Sequence, residues 1–133
     1  MHIHYISEQN SILNHFLAQI RDVNIQKDSM RFRKNIERIG EIMAYELSKT
    51  LDYKEIDVQT PLGIKHTTTI AEPVVLCSIL RAGLALHQGF MSFFDNAENG
   101  FVSAYRHHYD NDDKFEILVE YQAAPSFEGK NLI

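Results

Sequence analysis

Val74-Val75-Leu76-Cys77-Ser78-Ile79 is apolar nearly throughout, and it runs directly into Leu80-Arg81-Ala82-Gly83-Leu84. Such a run predicts a parallel strand covered on both faces. The residues after it change character. Leu84, Leu86, His87, Phe90 and Met91 recur at helical spacing, which predicts a helix of about three turns. Phe101 to Tyr105 predicts the next strand, so strand, helix and strand fall within about thirty residues, the length of a βαβ unit. An arginine and a glycine at the first strand-to-helix junction suit the capture of a phosphorylated ligand. A guanidinium can grip two phosphate oxygens at once, a glycine lets the backbone come close, and a helix start offers free amide donors.

Open α/β sheets bind ligands beyond the carboxyl ends of their strands. Arg81 and Arg106 both stand in that position, one after each strand. If the strands are neighbours, both guanidiniums reach one edge. The competing reading is that they only pair with acids such as Asp110 or Glu120. Beyond Arg106, the polar and acidic segment His107 to Asp113 reads as a loop. Phe115, Ile117, Val119 and Tyr121 then alternate with Lys114, Glu116, Leu118 and Glu120, which predicts a half-exposed returning strand. Ala123 to Gly129 is irregular, and Asn131-Leu132-Ile133 reads as the opening of another buried strand.

Upstream, Ile12, Leu13, Phe16, Leu17 and Ile20 follow the candidate caps Asn10 and Ser11, giving a helix to about Arg21. A longer helix starts near Asp28 or Ser29 with the stripe Phe32, Ile36, Ile39, Met43 and Leu47. Arg31 and Arg33 are badly placed for the helix dipole. Asp28 and Glu37, or a partner surface, must compensate them. Between Lys54 and Ile70, alternating Ile56 and Val58, the turn Pro61 to Gly63 and the threonine-rich Ile64 to Ile70 predict a two-stranded hairpin, an arm reaching outward.

The chain has 133 residues, 44% of them hydrophobic and 23% charged, with a net charge of -5. That length fits one α/β domain, residues 1–133, with a real core. The acidic balance counts against a nucleic-acid binder, while local arginines can still make one cleft positive. No apolar stretch approaches the ~20 residues needed to cross a bilayer, and the N-terminus lacks the features of a signal peptide. With one cysteine, Cys77, no internal disulfide can form, which fits a cytoplasmic protein. Cys77 reads as a buried small hydrophobe. His2 with His4, and His107 with His108, lack the companions of a metal site, so no metal ligands are assigned. Asp110, Asp112 and Asp113 lack the glycine and glutamate of a calcium loop and read as solvated charge. His87, inside the helical stripe, reads as a hydrogen-bonded, half-buried side chain rather than a general base.

Taken together, Ile79-Leu80-Arg81-Ala82-Gly83-Leu84, Ala104-Tyr105-Arg106 and Met30-Arg31-Phe32-Arg33 resemble the N-terminal portion of the uracil phosphoribosyltransferase family across essentially the whole chain. The resemblance implies a type I phosphoribosyltransferase fold, a parallel sheet flanked by helices, assembled as a homo-oligomer. It implies the salvage reaction of uracil with 5-phosphoribosyl 1-pyrophosphate (PRPP), yielding UMP and pyrophosphate, with Mg²⁺ carried on the substrate. By position, Arg81 and Arg106 carry over as PRPP ligands. Many bacterial members respond to GTP, to which no residue here is assigned. The resemblance also implies a 5′-phosphate loop of the Asp-Pro-Met-Leu-Ala-Thr-Gly type after a strand beginning near Leu132, and a later uracil-recognising segment. Neither is present in these 133 residues. The domain is therefore expected to be incomplete at its C-terminus and inactive alone. The alternative is a non-catalytic, phosphoribosyltransferase-like module that binds a nucleotide or regulates a partner.

Overall fold

The structure, a computed structural model, describes residues 3–108 and 115–133. Among them the chain forms three helices and six strands. Helix α1 (Ile12–Arg21) begins where the Ser11 side chain accepts from the N–H of Leu13 at 3.2 Å. Helix α2 (Ser29–Ser48) begins at Asp28, whose carboxylate accepts from the N–H groups of Met30 and Arg31. Both are side-chain N-caps of the kind that satisfy a helix's orphan donors. Asp28 also lies 3.6 Å from Arg31, so it is the acid that offsets the cationic first turn, while Glu37 pairs with Lys34 instead.

Strands β1 (Tyr53–Thr60) and β2 (Gly63–Ile70) pair antiparallel as a separate two-stranded sheet, mostly exposed on both faces. Gly63 closes the turn with φ +134, a backbone conformation open to glycine. The expected arm is present.

The main sheet has the order β5-β4-β3-β6. Its strands are β3 (Val74–Leu80), β4 (Glu98–His108), β5 (Phe115–Ala123) and the short β6 (Asn131–Leu132). β3 lies parallel to both β4 and β6, and β5 returns antiparallel along β4. The sheet is thus mixed, with three parallel strands and an antiparallel edge. Helix α3 (Leu84–Met91) is the crossover between β3 and β4; at eight residues it is shorter than its apolar spacing suggests. Val74, Leu76, Phe90, Phe94 and Ala44 form the core between sheet and helices, with Met43, Leu47 and Leu86 packed on it. From β5 at one edge, the segment Ala124 to Lys130 crosses to β6 at the other, and Ala124 lies over Gly100 of β4.

Three expectations need correction. Only the first half of β3 is covered on both sides: Val74, Val75 and Leu76 are buried, but Ile79 is 62% exposed. Cys77 is accordingly half-buried rather than buried. His107 and His108 belong to β4, paired with Glu116 and Phe115, because cross-strand pairing to β5 extends the strand past the point where apolar alternation fades. Asp110, Asp112 and Asp113, like His2, lie outside the described residues.

Candidate functional site

The carboxyl ends of β3 and β4 make the candidate site. Arg81, Ala82 and Gly83 form a tight turn directly after β3, entered through a cis peptide bond between Leu80 and Arg81. The N–H of Gly83 donates to the carbonyl of Ile79 at 3.0 Å, and that of Leu84 to the carbonyl of Arg81 at 3.3 Å. A side chain on Gly83 would bring its Cβ within 2.9 Å of the Ile79 oxygen. Glycine is thus required here for the chain to fold back onto its own strand, a reason the sequence did not reveal. Gly83 stands at the N-cap of α3 without a side-chain cap. The N–H groups of Ala85 and Leu86 find no acceptor among the described residues, as expected for the first turn of a helix.

Arg81 is exposed, and no described acid pairs with it. The register places Arg106 relative to it. Leu80 pairs with Ser103, so Arg106 lies one strand over and three residues beyond the last paired residue, opposite Ile117 on the β4–β5 extension. Arg106 is also exposed and is engaged by a neighbour. The two arginines therefore share one edge of the sheet, as the order of the motifs requires. Glu120, once a candidate partner for them, accepts from the Tyr105 hydroxyl at 3.1 Å. This bond, with the nearby carboxylate charge, raises the Tyr105 phenol above its ordinary value.

Arg33, from the third motif, lies exposed on the first turns of α2. His87 is 7% exposed, more buried than its spacing implied, and its ring meets Ser78 and Asn99. Neither partner stood out in the sequence, because a serine in an apolar run and an asparagine before a strand carry no periodic signal. A groove of about 700 Å³ lies elsewhere, between residues 3–12 and residues 42–50 at the end of α2. It contains none of the motif residues, and of its histidine, glutamate and lysine side chains, His4, Glu8, Glu46 and Lys49, the last two pair with each other. The exposed Arg81, with no described acid on it, makes the arginine-bearing edge the better anion site. Among the described residues no helix is long and apolar enough to cross a membrane.

Comparison with known proteins gives the family and the fold. Residues 6–122 match the family model for uracil phosphoribosyltransferase. The chain is 47% identical over all 133 residues to a uracil phosphoribosyltransferase of Porphyromonas gingivalis, covering 61% of that protein. It is 36% identical over 124 residues to one of Thermococcus gammatolerans, covering 92% of this chain and 53% of that protein. Among solved structures, the AQ2163 protein from Aquifex aeolicus superposes with a TM-score of 0.76 at 28% identity, over 93% of this chain and 57% of its own. The chain thus spans between about half and 61% of the length of these curated relatives. Since the match runs through the helical pair, β3, the Arg81 turn and β4, the chain belongs to the uracil phosphoribosyltransferase family.

Proposed function

We propose that this chain builds the diphosphate-binding wall of an enzyme that converts uracil and PRPP to UMP and pyrophosphate. The observation that carries the reading is Arg81, exposed and unpaired by any described acid, on a tight turn beyond the parallel strand β3. Arg81 and Arg106 take oxygens of the diphosphate, and the unsatisfied N–H groups of Ala85 and Leu86 add donors at the same turn. As the bond from ribose C1 to the diphosphate oxygen breaks, its electron pair leaves with the diphosphate. Uracil N1 closes on C1 and gives up its proton. Guanidiniums carried at that edge stabilise the growing negative charge on the departing diphosphate, which lowers the barrier.

The donor set at the turn, a guanidinium and amides, fits an anion. No described cluster of three or more His, Cys, Asp or Glu stands ready for a metal. In this reading Mg²⁺ would come with the diphosphate and offset its charge. The same reading makes the enzyme a cytoplasmic homo-oligomer. A lone cysteine supports the first point, and the arm, with Val58, Leu62 and Ile64 exposed, supports the second.

The test is calorimetric titration of pyrophosphate with Mg²⁺ into the chain and its Arg81→Ala variant. The variant should bind about thirtyfold more weakly, the ~2 kcal/mol of a lost charged hydrogen bond. Equal affinities would remove Arg81 from the site. A parent chain that does not bind would overturn the reading.

A further inference from the structure

The buried polar side chains among the described residues are Asn35 and His87, and His87 lies directly behind the Arg81 turn. Its Nδ1 is 2.8 Å from the Ser78 hydroxyl and its Nε2 2.7 Å from Asn99 Oδ1. The Asn99 amide nitrogen donates to the Ala97 carbonyl at 3.3 Å, which fixes the amide's orientation and presents Oδ1 to the ring. The ring therefore carries its proton on Nε2 and accepts the Ser78 proton on Nδ1. One imidazole thus joins β3, α3 and β4, with its plane tilted against Phe101 at 5.0 Å.

The tie continues into the turn. A Cβ on Gly83 would stand 3.3 Å from Ser78 Cβ, so the turn rests on Ser78. The His87 N–H donates to the Gly83 carbonyl at 2.9 Å, while the Gly83 N–H donates to Ile79. The turn is held from below through Ser78 and from the helix through His87. The end of β3 beneath it is thinly covered, with Ile79 62% exposed, and no described acid restrains Arg81. A leucine would fill the buried space at α3 without needing two polar partners. A histidine with both ring nitrogens satisfied fixes one relative placement of the three elements.

We propose that His87 is a positioning residue that acts through Ser78 and Gly83 to aim Arg81, without itself touching ligand. The inference rests on the reading of Arg81 as a diphosphate ligand, and its test separates the two.

Ser78→Ala removes the tie at the sheet, His87→Gln removes the acceptor for Ser78, and Ser78→Thr retains the hydroxyl. Amide exchange at Gly83 and Leu84 is compared with exchange at Ile39 and Ala44 in α2, alongside pyrophosphate titration with Mg²⁺. In Ser78→Ala and His87→Gln the two turn amides should exchange about tenfold faster while the α2 amides keep the parent rate, the signature of local rather than global opening. Pyrophosphate affinity should fall in the same variants, and Ser78→Thr should restore both readouts. Unchanged exchange at Gly83 and Leu84 overturns the proposal, as does faster exchange with undiminished affinity. Faster exchange in the two variants, with a parent that never binds pyrophosphate, supports the hold on the turn and fails the diphosphate reading instead. Should His87→Gln not fold, Ser78→Ala at its half-buried strand position still decides.

Discussion

Asp28 ends the connection before α2 with its carboxylate turned onto the N–H groups of Met30 and Arg31. The Arg31 N–H bond, ahead of the other contacts, holds its pKa below the ordinary 3.8. The folded value is the lower one, so the charged cap contributes stability above pH ~4, and that contribution fades as pH falls through the folded value. Melting temperatures of the parent and Asp28→Ala should therefore differ at neutral pH and converge in acid; a gap independent of pH would show that the charge does not matter. Tyr105 has the opposite sign. Glu120 favours the neutral phenol, so spectrophotometric titration should find a tyrosine ionising above 10, which Glu120→Gln returns toward the ordinary value. Asp28 was legible because an acid preceding an apolar-periodic run marks a helix start. The partners of His87 were not. They lie nine residues before and twelve after it, and only the pairing of β3 with β4 brings them to one ring.

At the scale of elements, α2 and α3 meet backbone to backbone. A Cβ on Gly89 would stand 2.1 Å from the Glu37 carbonyl oxygen and 2.9 Å from Gly40 Cα, and one on Gly40 would stand 2.5 Å from the Leu86 oxygen. Gly89→Ala must push the helices apart, at a cost of about 3 kcal/mol for overpacking rigid backbone. Urea denaturation checks this, and an unchanged midpoint would deny the close crossing. The stripe read along α2 found Ile39, Met43 and Leu47 but not the most buried line, Asn35, Gly40 and Ala44. Hydrophobic periodicity gives no weight to glycine or to a satisfied asparagine, although close helix approach depends on small residues. The β4–β5 pair carries a similar lesson. Its register slips between Ser103 and Ala104, leaving Glu120 as the extra residue of a bulge. Ile117, Val119 and Tyr121, alternating as if to line a core, are each more than half exposed. Alternation revealed the strand, but not what lies against it.

For the whole molecule, the order of motifs along the chain foretold a parallel β3–β4 pair joined by one helix, with Arg81 and Arg106 following its two strands. The strand opening read at Asn131 to Ile133 is present as β6, with Leu132 54% exposed rather than buried, but its place beside β3 was not legible, since two residues of pairing to Val74 and Val75 rest on backbone hydrogen bonds. The family reading also predicts the behaviour of the 133-residue polypeptide with uracil and PRPP. Lacking a 5′-phosphate loop and a uracil-recognising segment, it should show no useful turnover, and family-like rates would refute that expectation. The arm has a further consequence. Its two strands pair only with each other, and at its base a single 2.8 Å bond joins the Ala71 N–H to the Asp52 carbonyl. Excising Lys54 to Thr69 and bridging the stump with a short glycine linker should leave a polypeptide that still melts cooperatively, so this appendage can be lengthened, shortened or replaced while the body that carries Arg81 keeps its shape.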